Sequence, residues 1–458
     1  MGGRVPFLLA LACAAACGGP AAPARGVVLI TCDTLRADRL GFMGCPRATS
    51  PNLDALAQES LVFDTAWSTA PLTGPALAAL LTGRPPEELG LSDNRQVLAP
   101  EAETLAERLS ARGIDTAAIV SNWVLRRRPE LPGAGVQQGF AHFDDRMDTL
   151  EPARPDLRER LAPATTDAAI AWLDARSDAR PFFLWVHYQD PHGPYTPPAD
   201  CLGAEDGATD GEPRLEVGTD QRGAGTLPEY QAVDDERRPA VYRRRYEAEI
   251  RFFDRELGRL LGHLRATGEL ERALVVFTAD HGESLGERGF FFSHGQHLHR
   301  ELVQVPLLVR PPGGAREPHT RSGPVSHLDL APTVLAFLGV AEPSSRGIDL
   351  VSGTLSPRRT LPQFLRGSWG ATDGTHRLIV ADGRAQLFDV TADPREEHDL
   401  APGLGDCVRT LTERHHAFAR LGDPPIAAAK PPHDRADESA LNALGYGGED
   451  DEDEDAED

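Results

Sequence analysis

Acidic and histidine side chains stand just after three apolar runs of the sequence. They are Asp33 after residues 27–31, His192 shortly after residues 182–187, and Asp280 with His281 after residues 274–278. A single Asp after a strand more often caps a helix, but three such strand ends together favour a shared site. Two carboxylates and an imidazole from separate strands suit a divalent cation. Ligands of open α/β sheets bind at this edge, so the pattern predicts a metal-assisted reaction centre.

Five runs rich in β-branched and aliphatic residues predict the strands that position these groups. They span residues 27–31, 116–120, 182–187, 274–278 and 305–309. Their near-continuous apolar character, without strict alternation, indicates burial on both faces. We therefore expect an α/β fold with a mainly parallel sheet covered by helices.

The intervening segments have helical spacing. Residues 50–57 place Ser50 at the N-cap and a proline in the first turn, and residues 246–264 carry apolar side chains three or four positions apart. Thr73 precedes helix formers at 76–81, so it would lie at a helix amino terminus that favours an anion. From its surroundings alone, Thr73 is more often an N-cap than a nucleophile.

The composition after the first 25 residues divides the chain into three regions. Residues 26–345 form the predicted catalytic domain, in which 200–235 are rich in Gly, Asp, Glu and Pro and are typical of a surface loop. Residues 355–425 are predicted to form a small α+β subdomain with an antiparallel sheet. Residues 426–458 are typical of an acidic tail.

The amino terminus resembles an export signal. Arg4 is followed by an apolar run that is too short to span a membrane, and then by Cys17. Residues 14–17 (AAAC) also resemble a bacterial lipobox, whose Cys becomes the lipidated first residue. An ordinary cleaved signal is the alternative. We expect an exported protein, periplasmic or on the cell surface, attached to a bacterial membrane through lipidated Cys17.

The charge and the cysteine spacing exclude other classes. The net charge is −23, and nine of the last ten residues are acidic, which argues against a nucleic-acid partner because such a protein needs clustered Lys and Arg. The cysteines beyond the signal match neither a zinc knuckle nor a dense disulfide scaffold, and their pairing stays open. They are Cys32, Cys45, Cys201 and Cys407.

Several segments, in order and at fitting spacings, resemble the sulfatase family of the alkaline phosphatase superfamily. The resemblance covers roughly residues 26–402. The matching segments are 28–38 (VLITCDTLRAD), 50–54 (SPNLD), 71–83 (PLTGPALAALLTG), 183–192 (FLWVHYQDPH), 279–283 (ADHGE), 294–295 (HG) before 305–307 (VPL), and 387–390 (LFDV) with 393–394 (DP).

The resemblance implies an alkaline-phosphatase-like fold and a role for each site residue. Asp33, Asp280 and His281 would hold one divalent ion (Zn, Mn, Ca or Mg). Thr73 occupies the nucleophile position and would also touch the metal. His192 would bind the substrate's oxygen atoms or protonate the leaving group, and His294 would assist. The implied substrate is a small-molecule or glycan ester.

The chain also departs from the family. True sulfatases have Cys or Ser at the Thr73 position and oxidise it to formylglycine, which threonine cannot give, so formylglycine is not expected. Ser121, Asn122 and Leu77 stand near the places of the sulfate-binding Lys and Arg, and Thr34 replaces a second Asp. The family implies a sulfuric ester hydrolase. The alternatives are a phosphomonoester or phosphodiester hydrolase in which Thr73 attacks phosphorus, and an inactive surface binding protein.

Two rival patterns need weighing. Residues 282–286 match the G-x-S-x-G motif of serine hydrolases, but Ser284 falls six residues past the strand that ends at 278, whereas a nucleophile elbow sits at the turn itself. His297 and His299 near His294 suggest a second metal site, but their spacing is irregular. We expect only His294 to face the reaction centre.

The lipid anchor gives the first testable prediction. Cells given a palmitate analogue should label the wild-type protein, and Cys17→Ala should lose that label because the acceptor thiol is gone. Cys45→Ala serves as the control and should label normally. Equal labelling of the wild type and Cys17→Ala would contradict the anchor.

Overall fold

A computed structural model describes residues 26–151, 154–176, 180–203, 211–316, 320–341, 346–356, 359–431 and 441–442. The predicted export signal with Cys17 lies outside these residues, as does most of the predicted acidic tail. The predicted domain boundaries stay predictions.

The strands and helices of these residues alternate along the first two thirds of the chain. The strands are β1 (Gly26–Cys32), β2 (Leu61–Phe63), β3 (Ala66–Trp67), β4 (Asp115–Val120), β5 (His142–Asp144), β6 (Thr149–Glu151), β7 (Arg154–Glu159), β8 (Phe182–Tyr188), β9 (Val217–Gly218), β10 (Leu227–Pro228), β11 (Ala273–Ala279), β12 (Ser284–Leu285), β13 (Phe291–Ser293), β14 (Gln304–Val305), β15 (Leu307–Arg310), β16 (Thr320–Arg321), β17 (Val325–Ser326), β18 (Leu361–Leu365), β19 (Ser368–Thr372), β20 (His376–Ala381) and β21 (Arg384–Asp389). The helices are α1 (Pro51–Ala57), α2 (Thr73–Thr82), α3 (Leu105–Ser110), α4 (Ala162–Ala175), α5 (Pro239–Ala266), α6 (Arg300–Val303), α7 (Leu330–Phe337) and α8 (Gly405–Arg420).

An eight-stranded sheet forms the centre of the molecule, in the order β16-β2-β15-β11-β1-β8-β4-β5. Strands β11, β1, β8, β4 and β5 are parallel to one another, whereas β15 is antiparallel to β11. Every residue of β1, β8 and β11 is buried, as expected for strands covered on both faces. The mainly parallel α/β sheet predicted from the apolar runs is therefore confirmed.

The fifth predicted strand, residues 305–309, is divided between two sheets. Gln304 and Val305 (β14) pair with β3 in a three-stranded sheet, whereas β15 starts at Leu307 and pairs with β11. Pro306 lies at the break. Proline has no backbone N–H to donate to a strand neighbour, so the chain changes sheets at this residue.

The predicted helices are present, and one of them begins earlier than predicted. α5 begins seven residues before the predicted 246, with Pro239 at its first position. Ser50 stands at the N-cap of α1 as predicted, but its hydroxyl accepts from the Gly41 N–H and donates to Asp54. α2 begins at Thr73 as predicted and ends at Thr82. The following Gly83 is its C-cap, with a φ of 71° that is accessible to glycine without strain.

Two segments expected on the surface are partly buried. Leu227, Tyr230 and Gln231, within the 200–235 insertion, are at most 1% exposed. At the start of the predicted tail, the Ile426 N–H donates to the Glu88 carbonyl, and Ala429 pairs with Val97. Their polar composition predicted that both segments are exposed to solvent. Composition does not reveal backbone pairing with residues distant in the chain, which buries parts of them.

Within the ranges described, no helix is long and apolar enough to cross a membrane. The cysteines in the same ranges, Cys32, Cys45, Cys201 and Cys407, are free thiols.

The predicted antiparallel sheet near the carboxy terminus is formed by β18 to β21. A buried ion pair holds it to the segment before α6. On β20, Arg377 donates to Glu396 Oε1 at 2.7 Å, and Glu396 Oε2 lies 2.8 Å from His299 Nδ1. The Arg377 guanidinium also lies 4.9 Å from the centre of the Trp67 ring. The small sheet is thereby attached through charge as well as apolar packing.

This ion pair gives a stability prediction. Burial alone would raise the pKa of Glu396, but Arg377 and His299 hold it well below its usual range. The stabilisation is therefore present at neutral pH and is lost as the pH falls. Glu396→Gln leaves Arg377 buried without a counter-charge and should lower the free energy of unfolding by about 3–5 kcal/mol. Urea denaturation measures this change.

The exposed neighbour Glu397 supplies the matched control, since its carboxylate is 59% exposed and pairs only loosely with Arg395, at 3.9 Å. Glu397→Gln should change the unfolding free energy by less than about 0.5 kcal/mol. Equal losses in the two variants would contradict a special role for Glu396.

Candidate active site

The register of three parallel strands places the two aspartates together. Cys32, the last residue of β1, pairs with Ala279 of β11 on one side and with Tyr188 of β8 on the other. The next residues, Asp33 and Asp280, therefore leave the sheet at the same level and on neighbouring strands. Both side chains are fully buried.

Asp33 uses one carboxylate oxygen for the protein and keeps the other free. Oδ2 accepts a hydrogen bond from the Asn122 amide and lies 3.7 Å from His187 Nε2. His187 is itself held by the Thr31 hydroxyl, 2.8 Å from Nδ1. Oδ1 is buried and has no hydrogen-bond partner among the residues described.

Asp280 is arranged in the same way. Its Oδ1 accepts from the backbone N–H groups of Thr34 (3.0 Å) and His281 (2.7 Å), and its buried Oδ2 has no partner within the described ranges. Thr34 has a φ of 54°, a left-handed conformation that is strained for a β-branched residue. This strained turn directs its N–H to Asp280.

His281 presents a lone pair to these two free oxygens. Its Nδ1 lies 2.9 Å from the Gly282 carbonyl, which can only accept, so Nδ1 carries the proton and Nε2 does not. Nε2 lies 3.9 Å from Asp33 Oδ1 and 3.4 Å from Asp280 Oδ2. Three groups of lone pairs facing one buried point repel one another unless a cation lies between them.

These three residues therefore fit a metal ion. Their ligand atoms all lie within 4.8 Å of one another. Among the residues that the structure describes, the other group of this kind is Asp393, Glu397 and His398, which is largely exposed. Two carboxylate oxygens and an imidazole nitrogen suit Zn²⁺ or Mn²⁺ better than Ca²⁺, which prefers oxygen ligands.

The pKa values reflect the crowding of charge. Burial favours protonation of Asp33, but the imidazoles of His192, His187 and His281 outweigh it and hold the pKa of Asp33 well below its usual range. Burial and then the Asp33 charge raise the pKa of Asp280 to about 8. Burial lowers the pKa of His281. Without a metal, the carboxylate pair therefore retains one proton at neutral pH.

Thr73 lies beside this cluster, at the first residue of α2. Its Oγ1 is 3.3 Å from His281 Nε2, and the side chain is fully buried. The next backbone N–H, that of Gly74, donates to Asn94 Oδ1 at 2.8 Å and is not available to a ligand. The helix terminus therefore offers an anion fewer backbone donors than the sequence predicted, although its dipole is unchanged.

His192 and His294 complete the group of residues expected from the sequence. The ring centre of His294 lies 4.6 Å from that of His281 and 5.2 Å from that of His192. His192 Nδ1 lies 2.7 Å from the Gly193 carbonyl, so in its neutral form Nε2 carries the lone pair. Burial lowers the pKa of His192, and it lowers that of His294 to about 4.

Glu283 and Tyr195 were not predicted as site residues. The buried carboxylate of Glu283 lies 3.1 Å from His294 Nδ1 and accepts from the Tyr195 hydroxyl at 3.0 Å. Burial raises the pKa of Glu283 to about 7. A charged residue two positions after His281 was the available signal. Glu283 fixes the orientation of the His294 ring.

The rival patterns lead away from the cluster. Ser284 lies in the short strand β12, which pairs with β13, and not at a strand-to-helix turn. His299 is bonded to Glu396, and His297 Nε2 lies 3.7 Å from Glu301. The structure thus brings only His294 of the three neighbouring histidines to the candidate site.

A family model for sulfatases matches residues 25–340. The chain belongs to the sulfatase family. The resemblance seen in the sequence is thereby confirmed, and with it the assignment to a family of ester hydrolases. Some of the sulfatase relatives are enzymes named for a defined substrate.

A choline-sulfatase of Rhizobium meliloti is 28% identical over 416 residues, which cover 77% of this chain and 77% of the relative. An N-acetylglucosamine-6-O-sulfatase of Bacteroides thetaiotaomicron is 24% identical over 405 residues, covering 72% of this chain and 70% of the relative. Arylsulfatase A of Homo sapiens is 28% identical over 454 residues, covering 86% and 81%.

Solved structures show the same fold. A protein in complex with its substrate D-glucosamine-2-N,6-O-disulfate superposes with a TM-score of 0.72 and 22% identity, over 88% of this chain and 99% of that chain. A phosphonate monoester hydrolase of Agrobacterium radiobacter gives 0.69 and 18%, over 87% and 96%. The alkaline-phosphatase-like fold expected from the sequence is therefore confirmed.

The raised pKa of Asp280 predicts how metal binding depends on pH. Because the cation must displace the proton that Asp280 holds below about pH 8, affinity should rise roughly tenfold per pH unit between pH 6 and 8 and then level off. Isothermal titration with Zn²⁺ or Mn²⁺, in buffers of different ionisation enthalpy, should show about one proton released per ion at neutral pH.

Two variants test whether the metal binds at this site or at the exposed group of Asp393, Glu397 and His398. Asp280→Asn should remove the bound metal, whereas Asp393→Asn should retain it, as read by metal analysis of the purified protein. Loss of metal in Asp393→Asn alone would place the ion elsewhere.

Proposed function

We propose that the protein is a metal-dependent hydrolase of sulfuric esters in which the Thr73 hydroxyl is the nucleophile. One observation carries the proposal: His281 Nε2 points its lone pair at the free oxygens of Asp33 and Asp280 and lies 3.3 Å from Thr73 Oγ1. A nucleophilic alcohol and a cation site therefore share one buried point.

The ion held by Asp33, Asp280 and His281 would polarise the ester and favour the alkoxide form of an adjacent alcohol, as a metal lowers the pKa of bound water. Thr73 would then attack the tetrahedral centre in line and expel the alcohol half of the substrate. Attack forms a Thr73 ester, which water hydrolyses to restore the hydroxyl.

The two further histidines would handle protons. Neutral His192 has its proton on Nδ1, so Nε2 accepts a proton from the attacking group or from water and can return it to the leaving oxygen. Its lowered pKa keeps most of the imidazole neutral at neutral pH, which suits a base. His294, oriented by Glu283, would contact the ester oxygens beside His281.

The substrate would be a small-molecule or glycan ester. The named relatives support this, since their names specify choline, N-acetylglucosamine and aryl sulfatases. Tyr230 and Gln231 lie behind the His192 turn, both donating to the Phe292 carbonyl. The insertion that carries them packs against the His192 turn, and we place the alcohol half of the substrate on this side of the site.

A phosphoric ester is the second candidate. Asn122 and Leu77 stand near the places where other sulfatases have sulfate-binding cations. The Asn122 amide donates to Asp33, and Leu77 is buried in α2, so neither supplies a charge for sulfate. Thr73 cannot be converted to formylglycine and must act as an alcohol, as in direct attack on phosphorus. A degraded, inactive site is disfavoured because Thr73, the three ligands and both histidines converge.

The nucleophile gives a direct test with p-nitrophenyl sulfate, p-nitrophenyl phosphate and bis-p-nitrophenyl phosphate, each with Zn²⁺, Mn²⁺, Mg²⁺ or Ca²⁺. Thr73→Ala should lower kcat by at least about 10³-fold while metal content is unchanged, and Thr73→Ser should retain part of the activity because it keeps a hydroxyl. The preferred ester decides between sulfate and phosphate.

Ser284→Ala is the matched control, since it removes a buried hydroxyl three residues after His281 that lies outside the proposed machinery. It should leave turnover within about twofold of the wild type. A Thr73→Ala variant as active as the wild type, or an enzyme untouched by EDTA but silenced by Ser284→Ala, would refute the assignment.

A further inference from the structure

A second feature, separate from the cluster around Thr73, is a cavity of about 1040 Å³. Its walls come from the turn after β1, the turn after β12, α6 and residues 394–397. This volume is at the upper end of the range for small-molecule sites. None of the six residues assigned to the reaction centre lines it. Six arginines do: Arg36, Arg39, Arg243, Arg288, Arg300 and Arg395.

Four of these arginines are matched by nearby carboxylates. The pairs are Arg36 with Glu287 (2.7 Å), Arg39 with Glu247 (3.2 Å), Arg243 with Glu212 (2.8 Å), and Arg288 with Glu301. Their charge is largely spent within the protein. Arg395 is 82% exposed and pairs only loosely with Glu397, at 3.9 Å, so solvent screens its charge.

Arg300 differs from the others. Its side chain donates only to neutral acceptors, from Nε to Gln304 Oε1 and from one terminal nitrogen to the Val390 carbonyl at 2.9 Å. In the part of the chain described, no carboxylate lies within ion-pair distance of its guanidinium. The Glu396 carboxylate accepts from the Arg300 backbone N–H but is neutralised by Arg377. A half-buried cation with unused N–H donors therefore forms part of the cavity wall.

Electrostatics supports this description. Burial lowers the pKa of Arg300, and the positive charge of Arg377 lowers it further, against the opposing effects of the Glu396 and Asp38 carboxylates. A partly desolvated guanidinium with no carboxylate in direct contact is stabilised when an oxyanion reaches it. Its planar N–H donors match two oxygens of a sulfate, phosphate or carboxylate.

We propose that Arg300 is the centre of an oxyanion-binding subsite in this cavity, distinct from the site around Thr73. Its ligand is the sulfate, phosphate or carboxylate group of a small molecule or saccharide. The balanced charge of the remaining wall, with arginine and carboxylate side chains side by side, suits the hydroxyl groups of such a ligand. The proposal does not depend on the nucleophile or on the metal.

A single segment of the chain separates the subsite from the candidate metal site. The Gly282 N–H donates to the Leu302 carbonyl of α6 at 2.8 Å, and a Cβ at residue 282 would lie 2.1 Å from the Glu301 carbonyl oxygen. The residue after His281 is thus packed directly against the helix that begins with Arg300.

Isothermal titration of the full-length, metal-loaded Thr73→Ala protein tests the subsite without turnover. The probes are sodium sulfate, sodium phosphate, N-acetylglucosamine 6-sulfate and unsulfated N-acetylglucosamine. At least one anionic probe should bind, and Arg300→Met should weaken it by about tenfold or more because a charged hydrogen-bond donor is lost. Binding of the sulfated sugar alone assigns a saccharide-borne group, whereas equal binding of inorganic sulfate or phosphate assigns the free anion.

A second variant keeps the test valid if Arg300→Met fails to fold. Gln304→Glu places a carboxylate at the atom that already accepts from Arg300, so it neutralises the guanidinium with almost no change of shape. It should weaken the anionic probes as Arg300→Met does.

Arg409→Met, on the exposed face of α8, controls for net charge and should bind as the parent does. Loss of probe binding in His192→Ala would show that the probe binds at the reaction centre. The proposal is overturned if no anionic probe binds, if Arg300→Met and Gln304→Glu bind like the parent, or if His192→Ala alone removes the binding.

Discussion

Asp33 and Asp280 repel each other across a buried space, and much of the surrounding structure limits that repulsion. Each carboxylate has one oxygen fixed by protein donors, the Asn122 amide for Asp33 and two backbone N–H groups for Asp280. The His187 ring lies beside the same Asp33 oxygen, at 3.7 Å. The remaining oxygens face His281 Nε2, which brings a further lone pair. Burying like charges in this way is costly unless a cation neutralises them. Binding of a cation would therefore offset the electrostatic free energy that the fold spends on bringing these groups together.

Asp33 and Asp280 stay side by side only if β1 and β11 keep their register. Shifting β11 by one residue against β1 would move Asp280 out of level with Asp33, because Cys32 pairs with Ala279 in the observed register. The carboxy-terminal sheet adds a second restraint, since Arg377 and Glu396 attach it to the segment that leads into α6. Because α6 packs on Gly282, the small sheet also braces the turn that carries His281.

The residues at the ends of β1 and β11 were predictable because strand ends of a parallel sheet converge and because acidic or histidine residues follow three of the predicted strands. Thr73 was recognised only by its resemblance to a family motif. The support from Asn122 and His187 could not be predicted, since it depends on how β4 and β8 align in the sheet. The division of residues 304–310 between two sheets, and the burial of Tyr230, likewise depend on partners distant in the chain.

The amide of Asn122 has an evolutionary consequence. A lysine at this position would bring back a cation near the place where other sulfatases hold their substrate, but it would also take away the amide that orients Asp33. A lysine at position 122 would therefore add a substrate-binding charge and weaken the metal site at the same time. A substitution that first gave Asp33 another hydrogen-bond donor would avoid this loss.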